Sequence, residues 1–113
     1  MSMKHTLLLL SFSVALGLFG SGCANRALCM ERCEAQVADG CALTTNCEGL
    51  CDAYERQAAG SGCVSEYDAT QRCILDGDVC MTDRCNAQVA AATDCLRAFC
   101  DANPGHEVCP SRP

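Results

Sequence analysis

Hydrophobic residues are distributed along this chain in two ways: one continuous block near the N-terminus, and short stripes at helical spacing after it. The block runs for 14 residues, from Thr6 to Phe19, and follows the polar residues Lys4 and His5. A stretch of this length is too short to span a bilayer as a helix, and its position after a short polar segment is typical of an export signal. We therefore predict that residues 1–22 form a cleaved signal peptide.

Downstream of this block, apolar residues recur every three or four positions, which predicts an all-α fold of about four short helices. Asn25 can cap the first helix, Thr45-x-x-Glu48 has the form of a capping box at the second, and Asn103-Pro104-Gly105 breaks the last. The four predicted helices span Arg26 to Ala38, Asn46 to Ala59, Glu66 to Leu75 and Arg84 to Ala102.

Two cysteine pairs with the spacing C-x-x-x-C lie in the first two predicted helices, Cys29 with Cys33 and Cys47 with Cys51. A spacing of four puts both sulfurs on one face of a helix, one turn apart. Two helices joined by a short turn run antiparallel, so Cys29 lies opposite Cys51 and Cys33 opposite Cys47. We predict these two disulfide bonds, Cys29–Cys51 and Cys33–Cys47, with other pairings and metal binding as the alternatives.

The cysteine content indicates what holds the fold together, since 13 cysteines in 113 residues are typical of a disulfide scaffold. Beyond residue 22 only 12 Leu, Ile, Val and Phe remain, and ordering the chain costs roughly 1.5 kcal/mol per residue. Disulfides at roughly 2–4 kcal/mol each can make up the difference, and they form in oxidising compartments. Cys41 and Cys63 flank the second predicted helix, and we expect a Cys41–Cys63 bond if the chain folds back after that helix.

The segment Gly20-Ser21-Gly22-Cys23 resembles the lipobox of bacterial lipoproteins, in which the cysteine receives a diacylglycerol and becomes the new N-terminus. The resemblance implies a lipid anchor at Cys23, a tether over residues 23–28 and, with Ala24 after the cysteine, sorting to the outer membrane. Gly20 departs from the pattern, in which leucine is usual. The alternative is ordinary cleavage after Ala24 and plain secretion. Either route leaves 12 cysteines, an even number, for disulfide bonds.

The order of the cysteines between Cys29 and Cys95 resembles small cysteine-rich exported proteins and lipoproteins of myxobacteria and related bacteria. The pattern is two C-x-x-x-C pairs, each followed by a single cysteine, and then a Tyr-Asp-Ala segment that leads to Cys73. The resemblance covers roughly residues 29–95. We predict a cysteine-rich helical domain over residues 29–109 and a frayed tail over residues 110–113. Taken as a scaffold, the pattern implies a Cys73–Cys95 disulfide that joins the third and fourth predicted helices. We further predict Cys80–Cys85 and Cys100–Cys109, which close local loops, the latter as an added pair beyond the pattern.

Charge and motifs argue against several functional classes. After residue 22 the chain has seven Arg and no Lys against 14 Asp and Glu, a net charge of −7, so it lacks the basic stripe of a nucleic-acid-binding surface. It contains no C-x-x-C redox motif, no G-x-S-x-G elbow and no nucleotide-binding glycine motif. His106 is the one histidine beyond the leader. We therefore expect no catalytic residues, no cofactor and no bound metal.

These observations favour a non-enzymatic cysteine-rich lipoprotein of the cell envelope or surface, either structural or interacting with an envelope protein. Rigid scaffolds commonly present function on loops, so residues 60–62 and 76–82 are the candidate contact surfaces. One alternative is a secreted disulfide-rich inhibitor or toxin-like effector. Another is a thiolate metal-binding protein, which requires reduced cysteines.

Overall fold

The computed structural model describes residues 24–111, and within this range it contains helices and no strand. It therefore confirms the predicted all-α, disulfide-bonded fold. Within the same range, no helix is both long and apolar enough to cross a membrane. The predicted signal peptide and the proposed anchor Cys23 lie outside the described residues. The helices are α1 (Ala24–Ala38), α2 (Cys47–Ser61), α3 (Val64–Leu75) and α4 (Asn86–Ala102), with a short 3₁₀ turn, Asp83–Cys85, before α4.

The ends of α2 show why the chain turns where it does. The side chain of Asn46 accepts a hydrogen bond from the Gly49 N–H at 3.0 Å, so Asn46 caps the helix and the predicted capping-box threonine does not. At the other end Gly62 has φ 74°, and its N–H bonds back to the carbonyl groups of Ala58 and Ala59. Only glycine adopts this left-handed conformation at little cost. The turn is so tight that α3 begins two residues later.

Helices α1 and α2 form an antiparallel hairpin that two disulfides cross-link. Cys29 is bonded to Cys51 and Cys33 to Cys47, as the spacing of four on each helix predicts. These four half-cystines are buried and form a cluster against which Tyr54 and two other apolar side chains pack. The interior of the first hairpin is thus made largely of cystine.

Helices α3 and α4 form a second hairpin, again with two disulfides. Cys63 is bonded to Cys95 and Cys73 to Cys85, so the two bridges are ten residues apart on each arm of the helical hairpin. This equal spacing is the register that an antiparallel pair requires. Cys100–Cys109 closes the tail as expected. Three predicted bonds are therefore wrong: Cys41–Cys63, Cys73–Cys95 and Cys80–Cys85.

The remaining bridge, Cys41–Cys80, joins the two hairpins. Cys41 and Cys63 cannot pair because they lie at opposite ends of α2, which is 15 residues or about 22 Å long. Cys41 instead meets the loop that precedes α4. Among the disulfides of the described residues, this is the single one that links the first hairpin to the second. The connection between the hairpins otherwise depends on the Gly62 turn and on packing.

Helix α1 also packs against α3, which brings the two hairpins together. Arg32 of α1 bonds to Gln71 of α3, and one turn further on Ala35 contacts the cluster that includes Ile74. The order of these contacts shows that α1 and α3 run in the same direction. Seven of the twelve buried apolar residues in the described range are half-cystines, so cystine replaces much of an aliphatic core.

Candidate functional site

A concave pocket of about 420 Å³ lies between the two hairpins. Its walls come from α1, α2 and α3, and two loops, residues 41–44 and 79–82, close one side. Those loops are the segments that the Cys41–Cys80 disulfide ties together. Apolar side chains supply much of the lining, namely Leu43, Leu50, Tyr54, Ile74, Val79 and Val89.

Arg32 is the charged residue of this pocket, and it is held by neutral partners. Its Nε donates to Gln71 Oε1 at 2.7 Å, and Nη1 donates to Gln36 Oε1 at 3.0 Å. Gln36 in turn donates through Nε2 to the Val79 carbonyl at 2.8 Å. The guanidinium carbon lies 5.9 Å from the centroid of the Tyr54 ring, within range of a cation–π contact. These contacts fix the direction of the half-buried guanidinium.

The electrostatic setting of Arg32 is unusual for an acidic protein. Among residues 24–111, no carboxylate lies within ion-pair distance of it, whereas Arg26 pairs with Asp52 and Glu55. Partial burial lowers the pKa of Arg32 by desolvation, which the nearby Tyr54 opposes in part. Arginine stays protonated in proteins despite such shifts. The pocket therefore carries one positive charge that no acid of the described chain neutralises.

Gln71 forms the base of the pocket beside Arg32. Its side chain is fully buried, and its Nε2 has no hydrogen-bond partner, as is also true of Oδ1 of buried Asp68 one turn earlier on α3. Buried polar atoms are usually bonded, and one left unsatisfied costs roughly 1–3 kcal/mol. Because surrounding atoms cover the Gln71 Nε2, its visible role is to hold the Arg32 Nε through Oε1.

Two exposed apolar side chains line the pocket, and a third lies in the loop 79–82 that forms part of its wall. Leu43 is fully exposed, Met81 is 67% exposed and Val89 is 44% exposed. Leu43 and Val89 are part of the lining. Met81 lies in the sequence between the lining residues Cys80 and Thr82. We call these three residues the apolar rim. Three of the four exposed large apolar residues of the described range thus line the pocket or adjoin its lining in sequence, the fourth being Val37.

The two loops that the sequence predicts as contact surfaces differ in their surroundings. The loop 76–82 contributes lining residues to the pocket. The turn 60–62 is partly covered, because Ser61 is buried and a Cβ on Gly60 would lie 2.7 Å from Val108 of the tail. His106 packs edge-to-face on Phe99 at 5.0 Å, so it helps to anchor the same tail.

Residues 24–111 contain two groups of potential metal ligands, and both include half-cystines. One joins Glu66 to the Cys63–Cys95 bridge, and the other joins Asp39 and Asp78 to Cys80. All twelve cysteines of the described range are disulfide-bonded, so none offers the thiolate that a metal ion needs. Without their sulfurs, the groups keep one and two carboxylates respectively.

Neither Arg32 nor Gln71 is predicted from the sequence to be a site residue. One signal was present: Arg32 lies three residues after Cys29 and one before Cys33, close to the face of α1 that bears both predicted bridges. An arginine so close to two buried cysteines is expected to be partly buried. Its glutamine partner lies 39 positions away, and nothing in the local sequence connects the two.

No family model, curated protein or solved structure matches this chain. The resemblance to cysteine-rich exported proteins of myxobacteria stays a prediction.

Proposed function

We propose that this chain is an exported, non-enzymatic helical module that binds a partner protein at the cell envelope or surface through the pocket and its apolar rim. The observation that carries the proposal is the combination of exposed Leu43, Met81 and Val89 with an open pocket on a cross-linked frame. Exposed apolar groups beside a concavity are typical of protein-binding sites. Six disulfides support an oxidising, exported setting.

The rigidity of the frame supports binding rather than catalysis. Each hairpin has two disulfides, and a fifth bridge fixes the loops 41–44 and 79–82 that form one wall of the pocket. A preformed surface loses less conformational entropy on association than a mobile one. Within the described residues, no nucleophile with an adjacent base lines the pocket. Its polar side chains are those of Arg32, Gln36, Gln71, Tyr54 and three threonines.

Attachment to the membrane is the second part of the proposal. We assign the lipid to Cys23, on the support of the lipobox-like segment 20–23, and place the protein in the outer membrane or the periplasm. The intact mass of the protein from its native host, measured with and without thiol alkylation, tests this part. We expect a diacyl or triacyl mass and no alkylatable thiol. An unlipidated chain that starts at Asn25 would instead favour the secreted-effector alternative.

Partner binding is tested by site-specific photo-crosslinking in the native host. A benzophenone amino acid replaces Leu43 at the rim or, as the control, Ala98, which is exposed on α4 outside the pocket lining. We expect a discrete cross-linked product from position 43 that position 98 does not give. The same products from both positions, or none from position 43, would contradict the proposed surface.

A further inference from the structure

We propose that the pocket binds the C-terminal carboxylate of a partner polypeptide whose last residue is apolar, with Arg32 as the residue that pairs with the carboxylate. The inference rests on the proposed function in one respect, namely that the occupant is a polypeptide. The carboxylate chemistry itself depends only on the pocket.

The first step of the argument concerns the hydrogen atoms of the guanidinium. Arginine has five N–H donors. Arg32 directs one to Gln71, one to Gln36 and one, weakly, to the Cys29 sulfur at 3.9 Å. One N–H on each terminal nitrogen is therefore without a partner in the described part of the chain. Two such donors are what a carboxylate needs to bind in bidentate fashion.

The second step concerns the charge of the ligand. Arg32 is the one charged residue in the pocket lining, so the site offers a single positive charge. It matches a monoanion such as a carboxylate better than a phosphate monoester, which carries about −1.5 to −2 at neutral pH. Since the chain as a whole is strongly acidic, an anion reaches this pocket only if a local group favours it. Arg32 is that group.

The third step concerns the remainder of the ligand. Leu50, Tyr54 and Ile74 give the pocket an apolar wall next to the guanidinium. A volume of about 420 Å³ lies at the low end of the ~300–1,000 Å³ typical of ligand pockets. It suits one or two residues of a peptide and not a whole helix. An apolar residue at the C-terminus of a polypeptide, with its free carboxylate, satisfies both surfaces at once.

The rim argues for a polypeptide rather than a free small acid. A small carboxylate in the pocket would leave Leu43 and Val89 exposed to water, whereas the residues that precede the carboxylate in a peptide would cover them. Burial of apolar surface contributes roughly 25 cal/mol per Å². A peptide is therefore expected to bind more tightly than the isolated acid.

Gln71 is a positioning residue in this scheme. It does not reach the ligand, because its free Nε2 is covered, but its Oε1 holds the Arg32 Nε and so sets the plane of the guanidinium. Gln71→Glu would place a carboxylate at that position. The new side chain would neutralise Arg32 from within the protein and compete with the ligand, while leaving the arginine in place.

The test is an NMR titration of the processed, fully oxidised, ¹⁵N-labelled protein with three probes. The probes are N-acetyl-leucine, its uncharged amide, and an acetylated pentapeptide that ends in leucine with a free carboxylate. We expect saturable shifts of the Arg32 Nε–H and of the amides that line the pocket. A charge-assisted hydrogen bond contributes roughly 1.5–3 kcal/mol, so the uncharged amide is expected to bind at least ~10-fold more weakly than the acid.

Variants with a matched control assign the effect to Arg32. Arg32→Gln and Gln71→Glu are each expected to weaken the binding of N-acetyl-leucine at least ~10-fold. Arg72→Gln, which removes an exposed arginine from α3, is expected to change it less than ~2-fold. If Arg32→Gln fails to fold, Gln71→Glu carries the test, with the helix content of each variant measured by circular dichroism.

Each unfavourable outcome overturns a different statement. Equal affinity for the acid and its amide, or no saturable binding, overturns the carboxylate site. A pentapeptide that binds no more tightly than N-acetyl-leucine overturns the polypeptide occupant and assigns the pocket to a free small acid. Cross-links from position 43 without any carboxylate preference would leave the proposed function intact and remove this inference alone. Carboxylate binding without cross-links from position 43 would keep the carboxylate site and remove the proposed function.

Discussion

Removal of the Cys41–Cys80 disulfide is the perturbation that most directly tests how this fold is held together. The variant Cys41→Ala with Cys80→Ala deletes the bridge and leaves no free thiol. Both half-cystines are exposed, so the substitutions remove little packing, and the measured loss reports on the cross-link itself. The bridge is the one that connects the two hairpins, and it joins residues 39 positions apart, more than any other disulfide of the described range.

The magnitude follows from the length of the ring that the bridge closes. In the chain-entropy treatment, a ring of this length stabilises the folded state by about 3.9 kcal/mol at 25 °C. The other bridges hardly shorten this ring. The path from Cys41 to Cys80 that crosses the Cys63–Cys95 bond contains nearly as many residues as the path along the chain. For the short ring of Cys100–Cys109, with a separation of 9, the same treatment gives about 2.6 kcal/mol.

The assay is guanidinium chloride unfolding of the oxidised proteins, followed by far-UV circular dichroism without reductant. We expect the double variant to lose about 4 kcal/mol of unfolding free energy. Hydrogen exchange adds a local readout: the loop amides of residues 41–46 should exchange faster, while amides between the paired bridges of each hairpin stay protected. A loss below about 2 kcal/mol, less than the shortest ring would give, refutes the argument from ring length.

Two further predictions concern the Gly62 turn and the buried phenol of Tyr67. Gly62→Ala forces alanine into the left-handed region and is expected to cost about 1–2 kcal/mol of unfolding free energy. The control Gly105→Ala, where an added Cβ has no atom nearby, is expected to cost less than about 0.5 kcal/mol. Equal losses in the two variants would contradict the role of Gly62. Burial, assisted by Tyr54, raises the pKa of Tyr67, so its contribution to stability is complete below the unfolded pKa of about 10 and is lost as pH rises through the higher folded pKa. Unfolding free energies measured at about pH 9 and pH 11 should therefore diverge in the wild type and diverge less in Tyr67→Phe, whereas the same divergence in both would disprove the assignment.

The helices and the first hairpin could be predicted because their signals are local. Cys29 and Cys33 lie one turn apart, as do Cys47 and Cys51, and the short connection between the two helices leaves one antiparallel register. Helix spacing alone therefore selects both bonds. The predicted helix starts deviate by one or two residues where the actual cap differs, as it does with Asn46 in place of Thr45.

The second hairpin follows the same register rule, but its signal was less visible. Cys63 precedes α3 and Cys85 lies in the 3₁₀ turn, so neither belongs to a helical stripe. The equal spacing of ten residues, from Cys63 to Cys73 and from Cys85 to Cys95, was nevertheless present in the sequence. The predicted bonds Cys73–Cys95 and Cys80–Cys85 did not use this spacing. Cys41 and Cys80 were therefore also given wrong partners.

The pocket could not be predicted because it depends on how one hairpin lies against the other. The contact between Arg32 and Gln71 spans 39 residues, and the Cys41–Cys80 bond that closes one wall spans the same distance in sequence. Neither contact has a local pattern. Burial of a glutamine in the middle of α3 runs against its usual preference, so hydropathy alone places it at the surface.

The polar contact between α1 and α3 follows from the same scarcity of aliphatic residues that makes the disulfides necessary. In a chain with a larger apolar core, the space between two helical hairpins is filled by leucine, isoleucine and phenylalanine. Here cystines hold each hairpin, so the contact between α1 and α3 is free to contain Arg32, Gln36 and Gln71. A charged group at that position would cost a conventional core several kcal/mol. In a frame tied by Cys41–Cys80 the cost is tolerated, and the result is a preformed site with one positive charge.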